Sequence, residues 1–213
     1  MQKNFNDWKD RLQALAVQAS QDDGAHDVQH LNRVWHTAST LLESTPQADR
    51  LVVLVACFLH DLVNVPKNHP DRARASRLAA QEARCKLEYM DFPSDKIDAV
   101  VHAIEAHSFS ASITPITIEA QLVQDADRLD ALGAIGLARL FYTAERMGSA
   151  LAHPSDPLAK DRPLDDQAYA LDHIAVKLDS LPASMQTPAG RELAYARLAE
   201  LHVFRDQFVA QWK

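Results

Sequence analysis

The amino-acid sequence predicts an all-α protein that forms one helical unit. The chain of 213 residues contains only 5 glycines and few of the Val, Ile and Thr alternations that are typical of strands. Its apolar residues recur at spacings of three and four, the pattern of amphipathic helices. A chain of this length with 47% hydrophobic residues can bury a continuous core. We therefore expect a single domain over residues 1–213.

The first four helices follow from this periodicity and from one unusually apolar stretch. Residues 51–59, "LVVLVACFL", form an unbroken apolar run of the kind that a fully buried helix carries. A basic stretch with Asp71 as a candidate N-terminal cap follows it. The expected helices of this part of the chain are residues 5–19, 27–43, 47–63 and 71–90.

The second half of the chain is less regular. The segment "PSDKIDAVVHAIEAHS" opens a helix with Ser94 or Asp95 as its cap, and residues 118–147 keep one apolar stripe that predicts a single long helix. Residues 148–164 contain three prolines and no helical pattern, so we expect a loop, either a connector or a lid or dimer arm. Two further helices are expected, near residues 165–181 and 188–211.

Charge and targeting signals exclude several classes of protein. The formal net charge of −7 gives no general attraction to nucleic-acid backbones or anionic membranes. Cys57 and Cys85 are too few for a disulfide framework. The start of the chain is polar, and the apolar run of residues 51–59 is too short to span a bilayer. These features predict a cytoplasmic protein with neither a nucleic acid nor a membrane as partner.

Side chains that can bind metals occur at three separate places along the chain: His26 and His30, then His60 and Asp61, then Asp125, Asp127 and Asp130. A carboxylate among apolar neighbours is costly unless a cation pairs with it, and a bound metal would remove that cost. A histidine that caps a helix and an aspartate that pairs with an arginine explain the doublet in isolation as well. Spacing alone does not choose between the two earlier histidines or among the later aspartates.

The ordered motifs "HLNRV", "LHDLV" and "DADRLDALG" resemble those of the HD-domain superfamily of metal-dependent phosphohydrolases, over roughly residues 24–140. The resemblance implies four metal ligands: His30, His60, Asp61 and Asp127. Two imidazoles and two carboxylates leave open positions on an octahedral divalent ion for water and a phosphate oxygen. We expect Mn²⁺, and the ligands also suit Mg²⁺, Co²⁺, Fe²⁺ or Ni²⁺.

Residues beyond the expected ligands are assigned more weakly. Lys67 lies in the loop that leaves the doublet and is expected to contact a substrate phosphate. A local cluster of arginines follows it, and either an anionic substrate or a solvated helix face explains them: Arg72, Arg74, Arg77 and Arg84. His102 and His107 resemble residues that line HD sites, and His107 is preferred. The expected catalytic residues are therefore His60, Asp61, Lys67 and His107, and the general acid is unidentified.

The wider pattern, which includes "NVPKNHP", "HAIEAHSFSA" and "RPL", is similar to the bacterial YedJ/YpgQ-like branch, some of whose members are nucleotide pyrophosphohydrolases. We expect hydrolysis of a (d)NTP to a (d)NMP and pyrophosphate. Asn64 and Val65 stand where guanosine tetraphosphate hydrolases of the superfamily carry an acidic pair, which disfavours that activity. The alternatives are a nucleoside monophosphate or general phosphomonoesterase and a non-catalytic nucleotide-sensing or scaffold protein. A homodimer is compatible with the sequence.

Overall fold

The computed structural model describes residues 4–19, 28–63, 74–108 and 110–212, and the expected all-α fold is confirmed. These residues contain no β-strand beyond one isolated pairing of Ala150 with Tyr169. The helices of the described residues are α1 (Phe5–Ala19), α2 (Val28–Glu43), α3 (Arg50–Leu59), α4 (Ala75–Tyr89), α5 (Ser94–His107), α6 (Ile118–Leu129), α7 (Gly133–Met147), α8 (Asp172–Val176) and α9 (Pro188–Gln211). None of them is long and apolar enough to cross a bilayer.

The backbone divides into two compact units, one up to Asp127 and one from Arg128 onward. In the first unit α3 packs against α1, α2, α4 and α5. Every residue of α3 from Val52 to Leu59 is at most 2% exposed, as expected for a helix that is apolar on all sides. The single domain over residues 1–213 stays a prediction.

The ends of α3 differ from the expected 47–63. Asp49 caps the helix, since its side chain accepts hydrogen bonds from the backbone N–H groups of Leu51 and Val52 at 2.9 and 3.3 Å. The helix ends at Leu59, so His60 occupies the C-cap position. This early end places the His-Asp doublet at a helix terminus, where side chains can converge with those of other helices.

Of the caps expected for the next two helices, the first lies outside the described residues and the second is wrong. Asp71 lies outside the described residues, and α4 begins at Ala75, directly after Arg74. Helix α5 begins at Ser94 with Pro93 in the cap position, and no side chain caps it. Neither Ser94 nor Asp95 is the cap, because both already have helical backbone and α5 starts one residue earlier than a capping Ser94 would require.

The single long helix expected over residues 118–147 is wrong, because the chain breaks it between Leu129 and Gly133. Gly133 has a φ of +72°, a left-handed conformation that favours glycine. A Cβ at Gly136 would lie 2.2 Å from the backbone oxygen of Ala131. Two glycines therefore permit a tight bend directly after the aspartate-rich motif.

The second unit contains the loop and the last two α-helices. Residues 148–164 contain no helix, as expected. The helix expected near 165–181 is wrong, because only α8 and two short 3-10 turns form there, Leu178–Ser180 and Pro182–Ser184. The backbone before α8 pairs elsewhere, since Ala150 donates to Ala168 O and accepts from the N–H of Ala170. Helix α9 matches the expected 188–211 and is capped by Thr187.

Candidate metal centre

Three helix ends in the first unit bring histidine and aspartate side chains together. His30 lies in the first turn of α2, His60 and Asp61 directly follow α3, and Asp127 lies in the last turn of α6. Both histidines are buried, while the side chains of Asp61 and Asp127 retain 23% and 27% exposure. A buried pair of imidazoles thus faces two carboxylates that solvent can reach.

Four donor atoms converge at this point. His30 Nε2 lies 3.2 Å from His60 Nε2, 3.7 Å from Asp61 Oδ2 and 3.5 Å from Asp127 Oδ1. His60 Nε2 lies 3.6 and 3.7 Å from the same two carboxylate oxygens. Ligands bound about 2.1 Å from one ion are separated by about 3.0 Å at adjacent octahedral positions and by about 3.4 Å at tetrahedral ones. Each carboxylate oxygen is therefore spaced from the two imidazole nitrogens as ligands of one divalent ion would be.

A backbone hydrogen bond fixes the orientation of the His60 ring. His60 Nδ1 lies 2.9 Å from the carbonyl oxygen of Cys57, and a carbonyl only accepts, so Nδ1 carries the proton. The opposite nitrogen, Nε2, then presents a lone pair to the cluster. Burial lowers the pKa of His60 to about 4, although Asp61 and Asp127 act in the other direction. His60 is consequently a neutral imidazole near pH 7, the form that binds metals.

Asp127 is ionised in this environment. Burial alone would raise its pKa, but a hydrogen bond from His30, together with the neighbouring histidines, holds the pKa of Asp127 well below its usual range. A carboxylate beside the neutral His60 leaves negative charge in a largely buried cluster. Such charge is costly without a cation nearby, which is a second reason why the donor set suits a metal ion.

His107, the last residue of α5, stands next to this group. Its Nδ1 lies 2.6 Å from the carbonyl oxygen of Ile104, which fixes the same tautomer as in His60. Its Nε2 lies 3.9 Å from Asp61 Oδ1. Two trios of potential ligands share His60: one consists of His30, His60 and Asp127, the other of His60, Asp61 and His107. Since His60 Nε2 has one lone pair, it can bind only one ion at a time.

Other residues singled out in the sequence lie elsewhere. Asp125 is fully buried, and neither potential metal group found in the described residues includes it. His102 Nε2 accepts a hydrogen bond from the backbone N–H of Ile116 at 3.1 Å, so it supports the segment before α6. Arg84 pairs with Asp98, whose side chain is 88% exposed, at 2.5 Å, which fits a solvated helix face.

Several residues singled out in the sequence fall outside the described residues: His26, Asn64, Val65, Lys67 and Arg72. One contact near the site is not among those expected from the sequence. The side chain of Gln124 donates to the carbonyl oxygen of Ala106, next to His107, at 2.6 Å. The only sequence signal for it is that Gln124 stands three residues before Asp127, on the same side of a helix.

The fold and this site together place the chain in a known class. The HD domain family model matches residues 27–132, a range that contains His30, His60, Asp61, His107 and Asp127. The chain belongs to the HD-domain family. HD domains bind divalent metal ions, and the histidines and aspartates of this chain are positioned for such binding.

Individual relatives match over almost the whole chain. The chain is 34% identical to the YpgQ protein of Bacillus subtilis (strain 168) over 194 residues, which are 89% of this chain and 84% of YpgQ. The crystal structure of Bacillus subtilis YpgQ in complex with ADP has a TM-score of 0.75 at 30% identity and covers 97% of this chain and 96% of its own. An HD-superfamily hydrolase from Bacillus thuringiensis has a TM-score of 0.73 at 28% identity, with 98% of each chain covered.

Proposed function

We propose that this protein is a metal-dependent phosphohydrolase that acts on nucleotides. The observation that carries the proposal is a pair of imidazole nitrogens 3.2 Å apart, with one carboxylate oxygen of Asp61 and one of Asp127 each 3.5 to 3.7 Å from both nitrogens. Membership of the HD-domain family supports the hydrolase class. A YpgQ structure in complex with ADP supports a nucleotide as the ligand.

The proposed ligands are His30, His60, Asp61 and Asp127, with Mn²⁺ as the preferred ion because a mixed nitrogen and oxygen set suits it. Mg²⁺, Co²⁺, Fe²⁺ and Ni²⁺ remain compatible with the same donors. When bound, such an ion lowers the pKa of a coordinated water and polarises a phosphoryl group. The protein therefore needs no covalent nucleophile of its own.

The residues of the chain complete the site in two ways. Burial raises the pKa of the Cys57 thiol, so this thiol stays protonated and its contribution is the carbonyl that orients His60. His107 has its Nδ1–H held by Ile104 O, which leaves the lone pair of Nε2 facing the site. That nitrogen faces Asp61 Oδ1 at 3.9 Å. In the proposed site His107 is the catalytic residue that stands beside the metal ligands.

Substrate binding is assigned to Lys67, which follows the doublet by six residues. An ammonium group there supplies a charge-assisted contact to a polyphosphate. The proposed reaction is hydrolysis of a (d)NTP to a (d)NMP and pyrophosphate. The homodimer and the cytoplasmic location stay predictions.

Product analysis tests this function. The purified protein is incubated with Mn²⁺ and either ATP, dGTP or AMP, and the products are separated by anion-exchange chromatography. Pyrophosphate with a nucleoside monophosphate supports the proposed reaction. Orthophosphate from AMP identifies a phosphomonoesterase, and full metal occupancy without turnover of any substrate identifies a binding protein. Asp127→Ala serves as the matched control, because loss of a proposed ligand should lower turnover by the protein and leave turnover by a contaminant unchanged.

A further inference from the structure

The end of α5 carries a contact that the proposed reaction does not explain. The last four carbonyl groups of a helix lack the usual backbone partners, and α5 ends at His107. His107 Nδ1 satisfies the carbonyl of Ile104 at 2.6 Å. The carbonyl of Ala106 is satisfied by Gln124 Nε2, also at 2.6 Å, and this contact is buried. A side chain of α6 therefore completes the terminus of α5.

This hydrogen bond acts directly on the backbone of His107. The carbonyl of residue 106 and the N–H of residue 107 belong to one planar peptide group. A donor that fixes this carbonyl also fixes the plane from which the Cα of His107 projects. Ala106 is fully buried and Gln124 is 2% exposed, so water does not readily replace the amide.

Gln124 also shares a helix face with a proposed ligand. It precedes Asp127 by three residues, and residues at this spacing lie one turn apart on the same side of a helix. The same face of α6 thus presents a carboxylate to His30 and His60 and an amide to the end of α5. The two contacts together fix the position of the Asp127 carboxylate relative to His107.

We infer that Gln124 is a positioning residue, which holds the His107 ring in register with the metal site through the Ala106 carbonyl. The inference rests on the proposed function in so far as it assigns His107 a part in the reaction. Loss of the amide donor leaves a buried carbonyl without its hydrogen bond and frees the 106–107 peptide to rotate. The metal donors themselves are unchanged.

The test compares Gln124→Met, which keeps the length of the side chain without its donor, with Gln121→Met. Gln121 Nε2 makes a similar bond, to the carbonyl oxygen of Pro115 at 3.3 Å and not to the α5 terminus. Gln124→Glu is a second variant of native shape in case methionine destabilises the fold. Each protein is measured at full length and loaded with diamagnetic Mg²⁺, and the ring nitrogens of His107 are recorded by long-range ¹H–¹⁵N correlation.

We expect the two ring ¹⁵N signals of His107 to be well separated in the wild type. Their separation should become smaller in Gln124→Met and Gln124→Glu and should stay unchanged in Gln121→Met. The Mg²⁺ affinity should stay within about threefold, whereas kcat/KM should fall about 10-fold, the lower range for groups that orient site residues. On a His107→Ala background the same substitution should cost less than about twofold, because residues that act through one another are not additive.

Unchanged His107 signals in both Gln124 variants would overturn the inference, as would an equal loss of kcat/KM on the two backgrounds. The absence of turnover in the wild type would refute the proposed function instead. The ring signals would still decide whether Gln124 positions His107, so the two failures are distinguishable.

Discussion

His30 Nε2 lies 3.2 Å from His60 Nε2, and the two buried rings meet edge to face at an interplanar angle of 66°. Because His60 Nδ1 donates to a backbone carbonyl, the Nε2 of the neutral His60 ring can only accept. A proton on His30 or a cation shared by both rings satisfies this arrangement. Two carboxylates face the same point, and their negative charge favours a cation bound between the two rings.

Removal of the metal should abolish hydrolysis. We expect the chelator-treated protein to lose turnover of (d)NTP and to regain it best with Mn²⁺ or Co²⁺, because the donor set mixes imidazoles and carboxylates. The ion should also raise the melting temperature, since ligand at about 100 times its Kd stabilises the folded state by about 2.7 kcal/mol. Undiminished hydrolysis by protein shown to be metal-free would contradict the proposal.

Lys67→Ala should weaken substrate binding. The lost charge-assisted contact is worth about 1.5 to 3 kcal/mol, which corresponds to a KM for polyphosphate substrates about 10- to 150-fold higher. The matched control is Arg84→Ala, because Arg84 pairs with Asp98 on the exposed surface. Steady-state kinetics check both variants. Values of KM and kcat equal to those of the wild type would show that Lys67 does not contact the substrate.

Asp49→Ala should destabilise the first unit by about 1 to 2 kcal/mol, the typical cost of losing an N-terminal cap. Burial would raise the pKa of Asp49, but hydrogen bonds from Lys96 and from the first turn of α3 lower it. A carboxyl group whose pKa is lower in the folded state stabilises the protein above its unfolded pKa of about 3.9. That contribution is lost as the pH falls through the folded value.

Urea unfolding at a series of pH values measures this effect. The difference in unfolding free energy between the wild type and Asp49→Ala should be full near pH 7 and should shrink below about pH 4. Asp98→Ala, which removes an exposed partner, should change stability by about 0.5 kcal/mol or less. A difference for Asp49→Ala that stays constant down to pH 2 would show that its charge is irrelevant.

Much of the first unit is predictable from local pattern. The run 51–59 is apolar on every face, and only a buried helix accommodates such a sequence in water, which is what α3 shows. The break between α6 and α7 was missed because the apolar stripe continues across it. Its cause is a close backbone approach at Gly136, and periodicity carries no information about such an approach.

The candidate site was predictable only with the family pattern. Asp125 and Asp127 are both aspartates in one motif, and the direction in which each points follows from how α6 packs. His102 and His107 share α5, yet one supports the backbone N–H of Ile116 and the other faces Asp61. The two residues of each pair have the same side chain, so only the tertiary structure shows which of them lies in the site.

Gly136→Ala should destabilise the second unit strongly. Its Cβ would lie 2.2 Å from Ala131 O, so the backbone must shift, at a cost of about 3 kcal/mol or more. Gly148→Ala is the control, because a Cβ there has no neighbour within 4 Å and only its φ of +75° opposes alanine, at about 1 kcal/mol. Thermal unfolding that ranks the two variants in the opposite order would contradict the tight α6–α7 bend.

In the proposed site four side chains, with Asp127 as the fourth, hold one divalent ion. Side chains two positions apart on a helix point about 200° apart around its axis. One ion therefore cannot readily bind both Asp125 and Asp127. Asp127 Oδ1 lies within 3.7 Å of both buried histidines, whereas Asp125 belongs to neither potential metal group. Asp125→Ala can therefore lower activity, by about 10- to 100-fold if it orients a neighbour of the site, without loss of the ion.

Elemental analysis decides which aspartate is the ligand. The wild type, Asp127→Ala and Asp125→Ala are each reconstituted with Mn²⁺ and passed over a desalting column. Circular dichroism first shows that each protein is folded. We predict close to one Mn²⁺ per chain in the wild type and in Asp125→Ala, and a large loss of the metal from Asp127→Ala. Stoichiometric Mn²⁺ in Asp127→Ala together with metal-free Asp125→Ala would show that Asp125, and not Asp127, is the ligand.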